Sequence, residues 1–171
     1  MRRLYLLRHA KSDYPPGIED RERPLNARGR DACIKIGNWL RGQTPAQQIL
    51  CSSATRTQET WQRISAQTNW QSEIKFLPNL YLATAGELLS TIQQIPDEIF
   101  SAMIIAHAPG IAQIASLICN PKSNPELYFS LRTHYPTAGL AVFDIDIKSW
   151  QEIQPEEAHI LAWITPKSLS K

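Results

Sequence analysis

The chain has 171 residues, 43% of them apolar and 20% charged, with 18 Lys and Arg against 16 Asp and Glu for a formal net charge of +2. That length supports one well-cored domain spanning residues 1–171, and the near-balance of charge gives no electrostatic case for nucleic acid or a membrane surface as partner. Three scattered cysteines, Cys33, Cys51 and Cys119, form no metal-ligand spacing and lie in apolar contexts. Their odd number points to small core residues in a reducing, cytoplasmic setting. No stretch reaches the roughly 20 apolar residues of a membrane span. The basic start Met1-Arg2-Arg3 leads into a run, Leu4 to Leu7, too short for the core of a secretion signal.

That run reads as a buried strand which stops abruptly at Arg8-His9. Residues 13–24 carry Pro15-Pro16-Gly17 and many charges, a loop pattern. Asn26 then suits the cap of a helix over 27–40, with Ala32, Ile36 and Leu40 as its apolar stripe and Gly42 and Pro45 as its stop. A second strand is expected at 49–51 and a helix at 55–68, with Ser52 or Ser53 as its cap. Residues 74–77 read as a third strand and 86–94 as a helix, followed by the most apolar strand, 102–106, which ends at His107. Pro109-Gly110 opens a further helix with Ile111, Ile114, Ala115 and Ile118 on one face. Residues 120–125 read as a loop, 139–147 as a strand and 159–164 as a last strand. Strands alternating with helices predict an α/β three-layer sandwich, a central, mainly parallel sheet with helices on both faces.

Three basic sites follow predicted strands: Arg8 with His9, Arg56 in Ser52-Ser53-Ala54-Thr55-Arg56-Thr57-Gln58-Glu59-Thr60, and His107 in Ile105-Ala106-His107-Ala108-Pro109-Gly110. Ligands of open α/β sheets bind at the carboxyl ends of strands. If these strands are neighbours, the side chains converge on one crevice, with Arg56 in a helix first turn that itself favours an anion. An imidazole beside a fixed guanidinium offers a nucleophile next to an anion clamp, the chemistry of phosphoryl transfer.

Taken in order, Arg8-His9, the Ser-x-x-x-Arg-x-x-x-Thr arrangement ending at Arg56 and Thr60, and His107 resemble the histidine phosphatase superfamily, also called phosphoglycerate-mutase-like. The segment Asp20-Arg21-Glu22-Arg23-Pro24-Leu25-Asn26-Ala27-Arg28-Gly29 and Pro136-Thr137-Ala138-Gly139-Leu140 are similar to its SixA-like phosphohistidine phosphatase branch. The resemblance implies His9 as the nucleophile that accepts the phosphoryl group, with Arg8, Arg56 and His107 holding its oxygens and Arg23 completing the pocket, without metal or cofactor. It implies as partner a phosphohistidine-bearing protein or a small phosphorylated substrate, with phosphate as product. His9 must attack from an unprotonated nitrogen, so its other nitrogen is expected to donate to a backbone carbonyl; His107, which only stabilises, is the expected charged imidazole.

The chain departs from the family pattern where Ala10 follows His9 and Ala108 follows His107. It also lacks a carboxylic acid beside the second histidine; Asp13 and Glu87 are the candidate general acids, neither singled out by local pattern. An alkoxide leaving group needs such a donor, whereas imidazole, with a conjugate acid near pKa 6.5, does not. Phosphohistidine is therefore the preferred substrate. Small phosphate monoesters, with Asp13 or Glu87 donating the proton, and a non-catalytic phosphate-binding module are the alternatives. Arg21, Arg28 and Arg30 rival Arg23 for its place, while His134 and His159 read as surface or structural histidines and the five tryptophans as packing residues.

Overall fold

The computed structural model describes residues 1–170. Six strands, β1 (Arg2–Arg8), β2 (Gln48–Ser52), β3 (Glu73–Leu77), β4 (Ser101–Ala106), β5 (Leu140–Ile145) and β6 (His159–Ile164), form one sheet in the order β3-β2-β4-β1-β5-β6. The β3-β2-β4-β1 part is parallel, and β5 runs antiparallel to both β1 and β6. The helices are α1 (Ala27–Leu40), α2 (Thr55–Ser65), α3 (Ala85–Gln93), α4 (Gly110–Ile118) and α5 (Pro125–Thr133).

The period-2 alternation of the strands divides the core into two layers. Leu4 and Leu6 of β1 and Ile104 of β4 pack with Leu88 and Ile92 of α3, Ile111 and Ile114 of α4 and Leu131 of α5. Tyr5 and Leu7 of β1 and Met103 and Ile105 of β4 face the other way, against Ile36 and Leu40 of α1 and Trp61 and Ile64 of α2. Each such side chain fully withdrawn from water contributes about 1.5–3 kcal/mol, and β1 and β4 are apolar on both faces because both faces are covered.

The connections decide where the site lies. After β1 the chain turns to the α1 face and passes over to β2; after β3 it returns by α3 on the opposite face and inserts β4 between β2 and β1. The carboxyl ends of β1 and β4 are therefore a topological switch point, where the following segments diverge and leave a crevice.

Several local expectations are corrected. Helix α2 ends at Ser65, short of 68, and its cap is Ala54, which makes no side-chain capping bond; Ser52 and Ser53 do not cap it. Residues 125–133 form α5, capped by the Asn124 side chain on Leu127 N, with Pro125 at the first helical position. That Asn-Pro pair is a helix-start signal that the loop pattern at 120–125 masked. The strand expected over 139–147 is confined to Leu140–Ile145. The strand before Arg8 starts earlier, at Arg2, whose buried guanidinium donates to the carbonyls of Asp97 (3.0 Å) and Ile99 (2.8 Å) and lies beside Trp150. Among the described residues, no helix is long and apolar enough to cross a membrane.

Candidate active site

At the carboxyl ends of β1, β4 and β2 lies a cleft of about 290 Å³ lined by Arg8, His9, Lys11, Ser12, Tyr14, Asp20, Arg23, Arg56, Leu82, His107, Ala108 and Thr137. It brings together all five expected residues: Arg8, His9, Arg23, Arg56 and His107. The floor is buried, with His9 7% and His107 1% exposed, and the rim of Lys11, Tyr14, Asp20 and Leu82 is exposed.

The end of β1 is held on several sides. His9 N donates to Ala106 O (3.1 Å), and Ala138 N donates to the carbonyls of Arg8 (3.1 Å) and His9 (3.0 Å). Ala10 N donates to Thr60 Oγ1 (3.0 Å), and that hydroxyl donates to Arg56 O (2.6 Å). This is the physical content of the Arg-x-x-x-Thr spacing: one helical turn after Arg56, Thr60 ties α2 to the peptide that follows His9. Gly29 allows α1 to approach the same segment, since a Cβ there would stand 2.1 Å from Lys11 O.

His9 Nδ1 lies 2.8 Å from Ala10 O. A carbonyl only accepts, so Nδ1 carries the proton and Nε2 keeps its lone pair, the tautomer expected of a nucleophile. Burial, with the Arg56, Arg8 and Arg23 charges adding to it, pushes the ring down to about 4 against the raising effect of the Ala10 carbonyl. The His107 ring stands 5.2 Å from the His9 ring, centroid to centroid. Burial first, then His9 and Arg56, push His107 down to about 3. In this arrangement both imidazoles are neutral at pH 7.

Three positioning groups escaped the sequence reading. Ser52, expected as a helix cap, places its Oγ 2.7 Å from His107 Nε2 while accepting a bond from Ala54 N (3.3 Å). The Ser52 hydroxyl has no acceptor other than Nε2 among the described residues, so its proton points there, and the ring proton of His107 then sits on Nδ1, a buried atom without a partner among the described residues. Asp20 is the second. Its Oδ1 accepts from Arg23 Nη1 (2.8 Å), its Oδ2 from Arg56 Nη2 (3.1 Å), and its carbonyl from Arg56 Nη1 (2.6 Å). The third is Tyr81, whose hydroxyl donates to Asp20 Oδ2 and whose ring meets His107 edge-on at 5.5 Å. The Tyr81 hydroxyl first, then Arg23 and Arg56, hold the Asp20 carboxyl well below the usual carboxylate range. Only tertiary contact reveals these partners, because β4 separates β2 from β1 and Tyr81 is 61 residues from Asp20.

Arg23 also donates to Asp13 O (2.9 Å) and Ser12 Oγ, and stacks 3.5 Å from the Tyr14 ring centroid. Its rivals point elsewhere: Arg21 stacks on Tyr81, Arg30 donates to Leu25 O, and Arg28 lies in a separate groove. Neither Asp13 nor Glu87 lines the cleft. The Glu87 carboxylate accepts from Thr84 N (2.8 Å) in the capping box that starts α3. Glu87→Gln is therefore expected to leave hydrolytic kcat and KM within about twofold while slightly lowering the melting temperature; a large loss of kcat on phosphate monoesters would restore Glu87 as the acid.

The buried neutral imidazoles also fix a sign for stability. An unfolded histidine titrates near 6.5, and the folded rings near 4 and 3. Between those values the unfolded chain binds more protons, so stability falls as pH drops from 6.5 towards 3. Melting temperatures measured from pH 7 to 4 should fall less steeply for His9→Ala than for the wild type; parallel curves would show that His9 is not held neutral.

A model of the histidine phosphatase superfamily (branch 1) matches residues 4–98. The chain is 31% identical to the uncharacterized protein ML1117 of Mycobacterium leprae over 166 residues, covering 94% of this chain and all of that one. Among solved structures, a SixA protein of Agrobacterium tumefaciens is 27% identical with a TM-score of 0.80, covering 96% of this chain and 98% of that one. The protein histidine phosphatase SixA complexed with tungstate superposes with a TM-score of 0.78 at 22% identity, covering 98% of this chain and 99% of that one. The chain belongs to the histidine phosphatase superfamily.

Proposed function

We propose that the protein removes the phosphoryl group from phosphohistidine on a protein. The observation that carries this reading is the state of the acid in the cleft. Asp20 is the one carboxylate lining it among the described residues, and Tyr81, Arg23 and Arg56 hold that group ionised. A carboxylate that keeps its charge is a poor proton donor to a departing alkoxide. Imidazole leaves from phosphorus without such help.

In the proposed reaction, His9 Nε2 attacks phosphorus in line with the departing imidazole nitrogen of the substrate. The new N–P bond forms as the old one breaks, and the substrate ring, protonated on its other nitrogen, departs as neutral imidazole. Arg8, Arg23, Arg56 and the unpartnered His107 Nδ1–H donate to the phosphoryl oxygens, the charge stabilisation on which phosphoryl transfer chiefly depends. Water then attacks phospho-His9, its proton passing to solvent, and phosphate leaves with His9 restored. Arg8 is well placed to donate, since its Nη1 is fixed on Tyr135 O (2.8 Å) and its buried Nε has no partner among the described residues. The exposed rim of the cleft supports access by a protein surface.

Phosphate release from a phosphohistidine-bearing protein, measured beside a panel of small phosphate monoesters, tests the reading. Faster release from phosphohistidine supports it. Faster turnover of the esters makes the protein a small-molecule phosphatase, and turnover of neither makes it a phosphate-binding module.

A further inference from the structure

Beside the cleft, and sharing Lys11 and Thr137 with it, lies a second groove of about 500 Å³. We propose that this groove docks an acidic segment of the phosphoprotein, a surface rich in Asp and Glu next to the phosphorylated side chain. The proposal rests on the phosphohistidine reading and extends it to the part of the substrate outside the reacting group.

The groove is walled on one side by α1, which presents Arg28, Asp31 and Lys35, and on the other by the segment 165–170; Ala32, Pro136 and Thr137 also line it. The far wall is tied down. Ser168 N donates to Thr165 O (3.0 Å), Ser170 Oγ to Pro166 O (2.7 Å), Lys35 Nζ to Ser170 Oγ (3.0 Å), and Leu169 packs on the core layer beneath α1. Lys11, Arg28, Lys35 and Lys167 against Asp31 give the groove three positive charges, more than the +2 of the whole chain. Lys35 is paired with Asp31 (2.9 Å), whereas Lys11, Arg28 and Lys167 are exposed and have no carboxylate partner among the described residues.

The form of this positive charge selects the occupant. The cleft holds oriented, largely buried donors suited to one compact anion. The groove offers charges on long exposed stems, with none of its own side-chain donors buried and unpartnered. Such charges hold no single phosphate in a fixed pose, but they attract a spread of carboxylates and speed the encounter with a partner of opposite sign. A docked acidic segment running past Thr137 and Lys11 would bring its neighbouring phosphoryl group to His9.

The double variant Arg28→Glu/Lys167→Glu tests this, since neither residue lines the cleft. The substrates are a phosphohistidine protein with acidic residues around its histidine and, as the small probe, phosphoimidazole. On the protein, kcat/KM should fall about tenfold or more at low salt, through KM rather than kcat, with the gap closing as salt screens the charges. On phosphoimidazole the variant should match the wild type. Arg28→Gln/Lys167→Gln should give an intermediate loss, and melting curves establish that each variant folds. A poly-glutamate peptide should compete with the protein substrate for the wild type and fail to do so for the charge-reversed variant. Equal losses on both substrates, or no loss on the protein, overturn the groove while leaving the phosphohistidine reading intact. Failure of the wild type on phosphoimidazole and phosphoprotein alike overturns the reading beneath it.

Discussion

Replacing His9 with alanine is expected to abolish phosphate release, lowering kcat/KM by at least ~10⁴-fold, because the covalent route is lost along with the nucleophile. The geometry leaves no substitute. His107 Nε2 is turned to Ser52, and its ring lies under the Tyr81 edge. Wild-type protein mixed with a phosphoryl donor and quenched in alkali should carry an acid-labile phosphoryl label that His9→Ala lacks. The variant should still fold, since the strand end is held by backbone bonds from Ala138 and to Ala106 rather than by the imidazole. A variant that keeps more than about a hundredth of wild-type turnover would mean that water attacks phosphorus directly, with the arginines alone supplying catalysis.

Arg56→Ala is expected to cost about 10²–10³-fold in kcat/KM, the scale of removing one fixed donor to a developing oxyanion. The upper end of that range is expected because Arg56 also anchors the neighbouring loop. Its two terminal nitrogens hold the carbonyl and the carboxylate of Asp20, and Asp20 in turn holds Arg23. Without Arg56 the loop 13–24 loses a buried anchor, so limited proteolysis within that loop should speed up in the variant. Arg56→Lys should restore little, because a single ammonium cannot make both bonds at once. Activity within threefold of wild type together with an intact loop would remove Arg56 from the machinery.

The same pair of residues shows how far the sequence could be read. Arg56 was legible because it follows a predicted strand and opens a helix, where spacing and helix-end electrostatics point to an anion. Asp20 was not, because it sits in a loop rich in charge, and a lone carboxylate there looks like any solvated group. Ser52 was legible as a residue type and misread as to role. A serine between strand and helix is most often a cap, and its true partner lies 55 residues away, just past the end of the neighbouring strand β4. Glu87 and Asp13 show the converse: both are the right chemistry and the sequence singled out neither, while backbone geometry makes Glu87 a helix cap and Asp13 lies outside the cleft.

By itself the sequence determined the layers and the candidate reacting groups. Runs such as 102–106, apolar at every position, can be buried only in a sheet covered on both faces, and the basic residues that end them can lie only at its carboxyl edge. Tertiary structure decided the strand order, the meeting of Ser52 with His107 and the pairing of Asp20 with Arg23 and Arg56. The physical reason is range. Periodicity and capping act within a few residues and are written into local composition, whereas burial and ion pairing depend on what distant segments bring to the same few ångströms.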